Sequence, residues 1–142
     1  MIRLPMRILT VLLSASVMVL NDGPVTQAAE DWEADLSGAW TLPGNKCDDI
    51  FVDQGGHWAF RQPVDMYGPS FIVEGREIRG PEAICRIIRG VAREDKMNLV
   101  ISCRNTVSFT QNEVQLRVKS ANEIERLYPA VDMSVAYMKC QR

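Results

Sequence analysis

A chain of 142 residues, 46% apolar and 24% charged, has room for one domain with a single modest core. Its formal charge of −2 excludes the electrostatic footprint of a nucleic-acid-binding protein. The charges are uneven along the chain. Between Glu30 and Asp53 seven acids face Lys46 alone, whereas between Arg76 and Arg104 seven basic residues meet four acidic ones, an excess expected of a solvated strand face.

Residues 1–28 read as a secretory signal. Arg3 and Arg7 form a positive start, and Ile8 to Leu20 is an uncharged, largely apolar run. That run is shorter than the ~20 apolar residues that cross a bilayer, which disfavours the competing reading of an uncleaved anchor. Asn21 to Pro24 break it, and Thr26-Gln27-Ala28 offers a small-residue cleavage site. With no cysteine near the end of the run, lipid attachment to a thiol after cleavage is excluded. The expected product is a periplasmic or secreted chain that no longer holds to the membrane. It consists of a polar lead over residues 29–37 and one domain over residues 38–142. The lead carries four acids and one large aromatic, Trp32.

The first apolar strand is expected at Gly38 to Leu42. Ile50-Phe51-Val52 and His57 to Phe60 flank Gly55-Gly56, which suits a hairpin because glycine tolerates positive φ. Pro63 and Gly68-Pro69 bound a loop. Ser70 to Glu74 and Glu77 to Arg79 form another hairpin about Gly75-Arg76, and Gly80-Pro81 leads into the centre of the chain.

That centre, Ala83 to Cys103, reads as two strands folded about Glu94. Such a fold opposes Cys85 to Cys103, Ile87 to Ile101, Arg89 to Leu99 and Val91 to Met97, all on one face. Three of the four pairs are apolar or cysteine, as a core face requires, and Arg89 is drawn inward with them. Farther on, Val107 to Phe109 alternates, Gln111-Asn112 turns, and Val114, Leu116 and Val118 share a face. After Ile124 to Leu127, with a helical turn as the competing reading around Asn122 to Tyr128, Val135 to Cys140 forms the last strand.

All four cysteines lie in the expected mature part, at spacings of 38, 18 and 37 residues without a C-x-x-C pair. The single histidine is ten residues from Cys47. Two disulfides therefore fit better than a metal site. The central hairpin selects Cys85–Cys103 and leaves Cys47–Cys140 to join the start of the domain to its end. About eight to ten short strands between turn signals imply an all-β sandwich or a small antiparallel up-and-down barrel. The Cys47–Cys140 link favours the barrel, and closure removes exposed strand edges.

Candidates for chemistry are few. His57 has no evident nucleophile or orienting partner, so a packing or surface role is preferred. Asp48, Asp49 and Asp53 lack the spacing of a calcium loop, and solubilising charge accounts for them. Glu94-Asp95 suit a turn, and no glycine-rich loop opens a helix to hold phosphate. No catalytic residue, metal ligand or cofactor is assigned, and the chain is not expected to be an enzyme. Arg89, if inward, pairs with a buried carboxylate, binds an anion in a barrel mouth or reaches solvent past the rim, the last being preferred because Arg89 lies toward the turn.

Gly38-x-Trp40 on the first strand of a small all-β domain resembles the lipocalin-like barrels. With the signal, the short polar lead and Cys47, the stretch from Leu36 to Phe51 resembles the bacterial Inh-type periplasmic metalloprotease inhibitors. That resemblance implies an eight-stranded barrel whose N-terminal segment enters a protease cleft. Members of that family carry one disulfide, whereas this chain has four cysteines, a wider first gap and Cys140 at the end of its last strand. Two expectations of function follow. One is a non-enzymatic binding module, with a secreted protease or a small apolar ligand as partner and Trp32, Trp40 and Arg89 as binding candidates. The other is a structural or stress-related envelope protein without a ligand. Trp40 also has a purely structural reading, as an indole closing one barrel end beside a close strand crossing at Gly38.

Overall fold

The structure is a computed structural model and describes residues 31–64 and 68–142. The signal expected over residues 1–28 lies outside the described residues.

Ten strands form among the described residues: β1 (Gly38–Thr41), β2 (Phe51–Gln54), β3 (His57–Phe60), β4 (Phe71–Glu74), β5 (Glu77–Arg79), β6 (Ile84–Arg93), β7 (Lys96–Arg104), β8 (Phe109–Ser120), β9 (Glu123–Tyr128) and β10 (Met133–Lys139). Strands β4 to β10 pair in chain order. β1 closes the ring, with Trp40 opposite Lys139 of β10 on one side and Phe71 of β4 on the other. The result is the expected closed antiparallel barrel of eight strands, with both disulfides, Cys47–Cys140 and Cys85–Cys103, as anticipated. Alternation explains the facing. Met97, Leu99 and Ile101 of β7, and Val114 and Leu116 of β8, are buried inside, and the residues between them point outward. One expectation in this region is corrected: Gln111-Asn112 is continuous strand, opposite Ser102 and Ile101. The strand expected over Ile124 to Leu127 forms as β9, pairing with β8 and β10, and the competing helical turn does not.

Chain direction sorts the loops onto two ends. At one end lie the turns 75–76, 94–95 and 121–122, and at the other lie the connections 80–83, 105–108 and 129–132. The first end is plugged by a short helix, α1 (Asp31–Leu36). Trp32 and Leu36 are one helical turn apart and therefore share a face; each is only 1% exposed within the barrel core. The lead is thus part of the domain, which begins at least as early as residue 31 rather than at 38. Polar contacts hold the helix: Arg76 pairs with Glu33 at 2.7 Å and lies 5.9 Å over the Trp32 ring, and Lys139 Nζ donates to the Asp35 carbonyl at 3.0 Å.

The central hairpin follows the expected register from Cys85↔Cys103 to Ile87↔Ile101, then slips by one residue at a β-bulge. Beyond it Arg89 opposes Val100, Gly90 opposes Leu99 and Ala92 opposes Met97. The slip turns Arg89 outward, where it is exposed, and correspondingly brings Gly90 inward. Only a residue without a side chain fits there: a Cβ on Gly90 would lie 2.6 Å from Trp32 Cε2 and 3.1 Å from Leu99 Cδ2. The bulge and the plug are two parts of one packing solution.

A second, smaller core sits outside the barrel wall. Helix α2 (Cys47–Ile50) and the β2–β3 hairpin cover the outward side chains Ala39 of β1 and Ile72 of β4 with Ile50, Phe51 and Trp58. The Cys47–Cys140 disulfide staples this layer to the end of β10, and Arg79 Nη2 of β5 donates to the Trp58 carbonyl at 3.2 Å.

Candidate functional site

Above the plug the barrel is hollow. A cavity of about 340 Å³ extends from Leu36 of α1 to the unplugged end, where Gly68 to Ser70 and Gly80 to Ala83 border it. Val73, Ile78, Leu99, Ile101, Val114 and Leu116 line it, and the Cys85–Cys103 disulfide completes the apolar wall. Alternation along each strand produces this lining, since every second side chain must face the lumen.

Few polar groups reach the lumen. Ser70 at the end of the wall is buried and shares a 2.8 Å hydrogen bond with Thr41, whose Oγ1 also accepts from Asn45 Nδ2 at 3.0 Å. Glu82 lies at the mouth and Asn112 on β8. Arg126 of β9 and Tyr137 of β10 stand on neighbouring strands in the wall. Burial pushes the Tyr137 hydroxyl above its ordinary 10.0 and Tyr128 adds to the rise, while the positive charge of Arg126 opposes it. Tyr137 also meets the Phe71 ring edge-on at 5.0 Å, and Phe71 stacks on Trp40 at 6.4 Å, so an aromatic series links the lumen wall to the plug.

The open end carries apolar side chains in water. Val107 is 92% and Phe109 73% exposed, and Val131 of the next connection and Met133 at the start of β10 join them. The opposite end, sealed by α1, has no comparable group among its turn residues.

None of the three binding candidates read from the sequence lines this cavity. Trp32 is consumed in the plug. Trp40 is fully buried, donates from Nε1 to the Leu36 carbonyl at 2.8 Å, and is covered by Lys139 Nζ at 5.0 Å. Gly38 makes that cover feasible: its φ is +135°, and a Cβ there would press on Lys139 Cε at 3.1 Å. Arg89 faces solvent because of the bulge. His57 is a surface residue 3.6 Å from Glu74, and Asp53 accepts from the Gly56 N–H at 2.8 Å. Among the described residues no group of three or more His, Cys, Asp or Glu is placed to hold a cation.

The residues that do give the lumen its polarity, Arg126 and Tyr137, were not singled out by sequence. The run Ile124-Glu125-Arg126-Leu127-Tyr128 places apolar side chains on both faces, so alternation alone does not say which face is inside. Comparison with family models, with curated proteins and with solved structures finds no match to this chain.

Proposed function

We propose that this chain is an exported, non-enzymatic binding module that takes a small apolar ligand into the barrel lumen. The observation that carries the reading is the cavity of about 340 Å³, largely apolar in its wall and bounded by Leu36 of α1 at one end and by residues 68–70 and 80–83 at the other. Ligand sites typically span ~300–1,000 Å³ and combine apolar walls with a few placed polar groups, and eight-stranded barrels are wide enough to hold one small ligand. A structural envelope protein without a ligand has no need of an empty lumen, which forfeits packing contacts along its whole lining. The inhibitor version is weakened by the plug, since Trp32 and Leu36, the apolar side chains of the lead, are committed to the barrel. Export to the periplasm or beyond fits the signal read at residues 1–28 and the two disulfides, which call for an oxidising compartment. The likeness of Gly38-x-Trp40 to lipocalin-like barrels points the same way.

The test is titration with a fluorophore that brightens in apolar surroundings, on the intact protein and on Val114→Phe. Val114 is buried in the lumen wall, and the larger ring would occupy the cavity. Saturable binding that Val114→Phe abolishes, with the thermal melt retained, is the expected result. An intact protein that binds no apolar probe, or a variant that binds as well, would sink the proposal.

A further inference from the structure

We propose, building on the reading of the lumen as a ligand site, that the ligand is an anionic amphiphile. Its apolar chain lies against the lumen wall and its oxyanion head meets the guanidinium of Arg126.

Arg126 is the one positively charged side chain among the described residues that line the lumen. Its neighbours across the sheet are Leu116 on β8 and Val135 on β10, and on its own strand face they are Ile124 and Tyr128. None of them is an acid. Among the described residues two other arginines are half-buried, Arg79 and Arg117, and each has a carboxylate within 4.0 Å, whereas Arg126 forms no ion pair or hydrogen bond with a described residue. Its contact is with the Tyr128 ring, whose centroid lies 4.8 Å from Cζ, a cation–π contact that leaves the positive charge without a counter-ion.

A half-buried cation in an apolar wall is costly unless an anion compensates it, and the planar fork of arginine suits a carboxylate or phosphate better than any neutral head. Tyr137 on the adjacent strand stays protonated well into the alkaline range and remains a hydroxyl donor for the same head. Glu82 is the acid that lines the mouth; it is exposed and has no ion pair with Arg126. The wall therefore combines an apolar surface with one uncompensated positive group, the chemistry of a fatty-acid-like molecule rather than of a neutral hydrocarbon or alcohol.

The experiment compares decanoate with decanol, which share a chain and differ in the head, by calorimetric titration at neutral pH. The intact protein is expected to prefer decanoate by at least about tenfold, the factor set by one charge-assisted hydrogen bond. Arg126→Met should bring the two ligands to within about twofold, and Arg126→Lys should retain part of the preference. Thermal melts check that the variants fold; if Arg126→Met does not, the intact protein and Arg126→Lys decide. Equal binding of both ligands by the intact protein, or a preference that survives in Arg126→Met, overturns the inference and leaves the lumen as a site for neutral ligands. If decanol displaces the apolar fluorophore and decanoate does not, the head assignment alone fails. If neither ligand nor fluorophore binds, the lumen reading fails with it.

Discussion

Gly90 and Trp32 offer the sharpest check on how the plug and the bulge depend on each other. Trp32 is 1% exposed, and removing a buried indole to alanine costs about 3–5 kcal/mol. Gly90→Ala should cost about 1–3 kcal/mol in the intact protein, because its Cβ would sit 2.6 and 2.7 Å from Trp32 Cε2 and Cζ2. The backbone at Gly90 has no positive φ, so the indole is the main obstacle to a side chain there, with the flexible end of Leu99 at 3.1 Å a lesser one. In a Trp32→Ala background the main obstacle is gone, and Leu99 can shift into the space the indole leaves. Gly90→Ala should then be neutral or should stabilise by up to about 1 kcal/mol, through the lower entropy of the unfolded chain. The double-mutant cycle thus predicts a coupling of at least about 1 kcal/mol, above the ~0.5 kcal/mol scatter of independent sites. Urea melts followed by far-ultraviolet circular dichroism measure it without relying on tryptophan emission. Additive losses would refute the claim that the bulge exists to seat this ring.

Two further predictions concern the staples and the alkaline limb. Mass mapping without reduction should find no free thiol, and losing Cys47–Cys140 should cost about 1.5 kcal/mol more than losing Cys85–Cys103, since the loops close over separations of 93 and 18 residues; equal losses in paired Cys→Ser variants would contradict the loop-closure account. Burial lowers the Lys139 amine below its ordinary 10.5, with Asp35 opposing the shift, so just below pH 10.5 the unfolded chain binds more protons there and stability rises with pH. The raised Tyr137 hydroxyl acts in the opposite sense: its contribution is complete below pH 10.0 and is lost as pH climbs through the folded value. Lys139→Met should therefore lose stability more steeply than the intact protein on the alkaline side, and Tyr137→Phe less steeply. Superimposable limbs in all three proteins would show that neither burial matters to folding.

Much of the barrel was legible in the chain itself, because its signals are local. Strict alternation in Met97 to Ile101 and Val114 to Val118, the turn residues between strands and the spacing of four cysteines determined an all-β fold, its hairpins and both disulfides. Alternation has a period of two, so a single inserted residue reverses every facing beyond it. The bulge after Ile87 did this, sending Arg89 to solvent and Gly90 inward. The Trp32 ring that packs against the inward Gly90 lies 58 residues earlier and meets β6 only in the folded molecule. The plug was hidden for a related reason. Trp32 and Leu36 are just two apolar positions among acids, too short a pattern to mark a helix without a cavity to receive it. The lumen itself, and the placing of Arg126 in its wall without an acid opposite, exist only once eight strands close and their inward side chains fail to meet at the centre. No local pattern specifies how much space a closed ring leaves; strand number, stagger and side-chain volume decide it together.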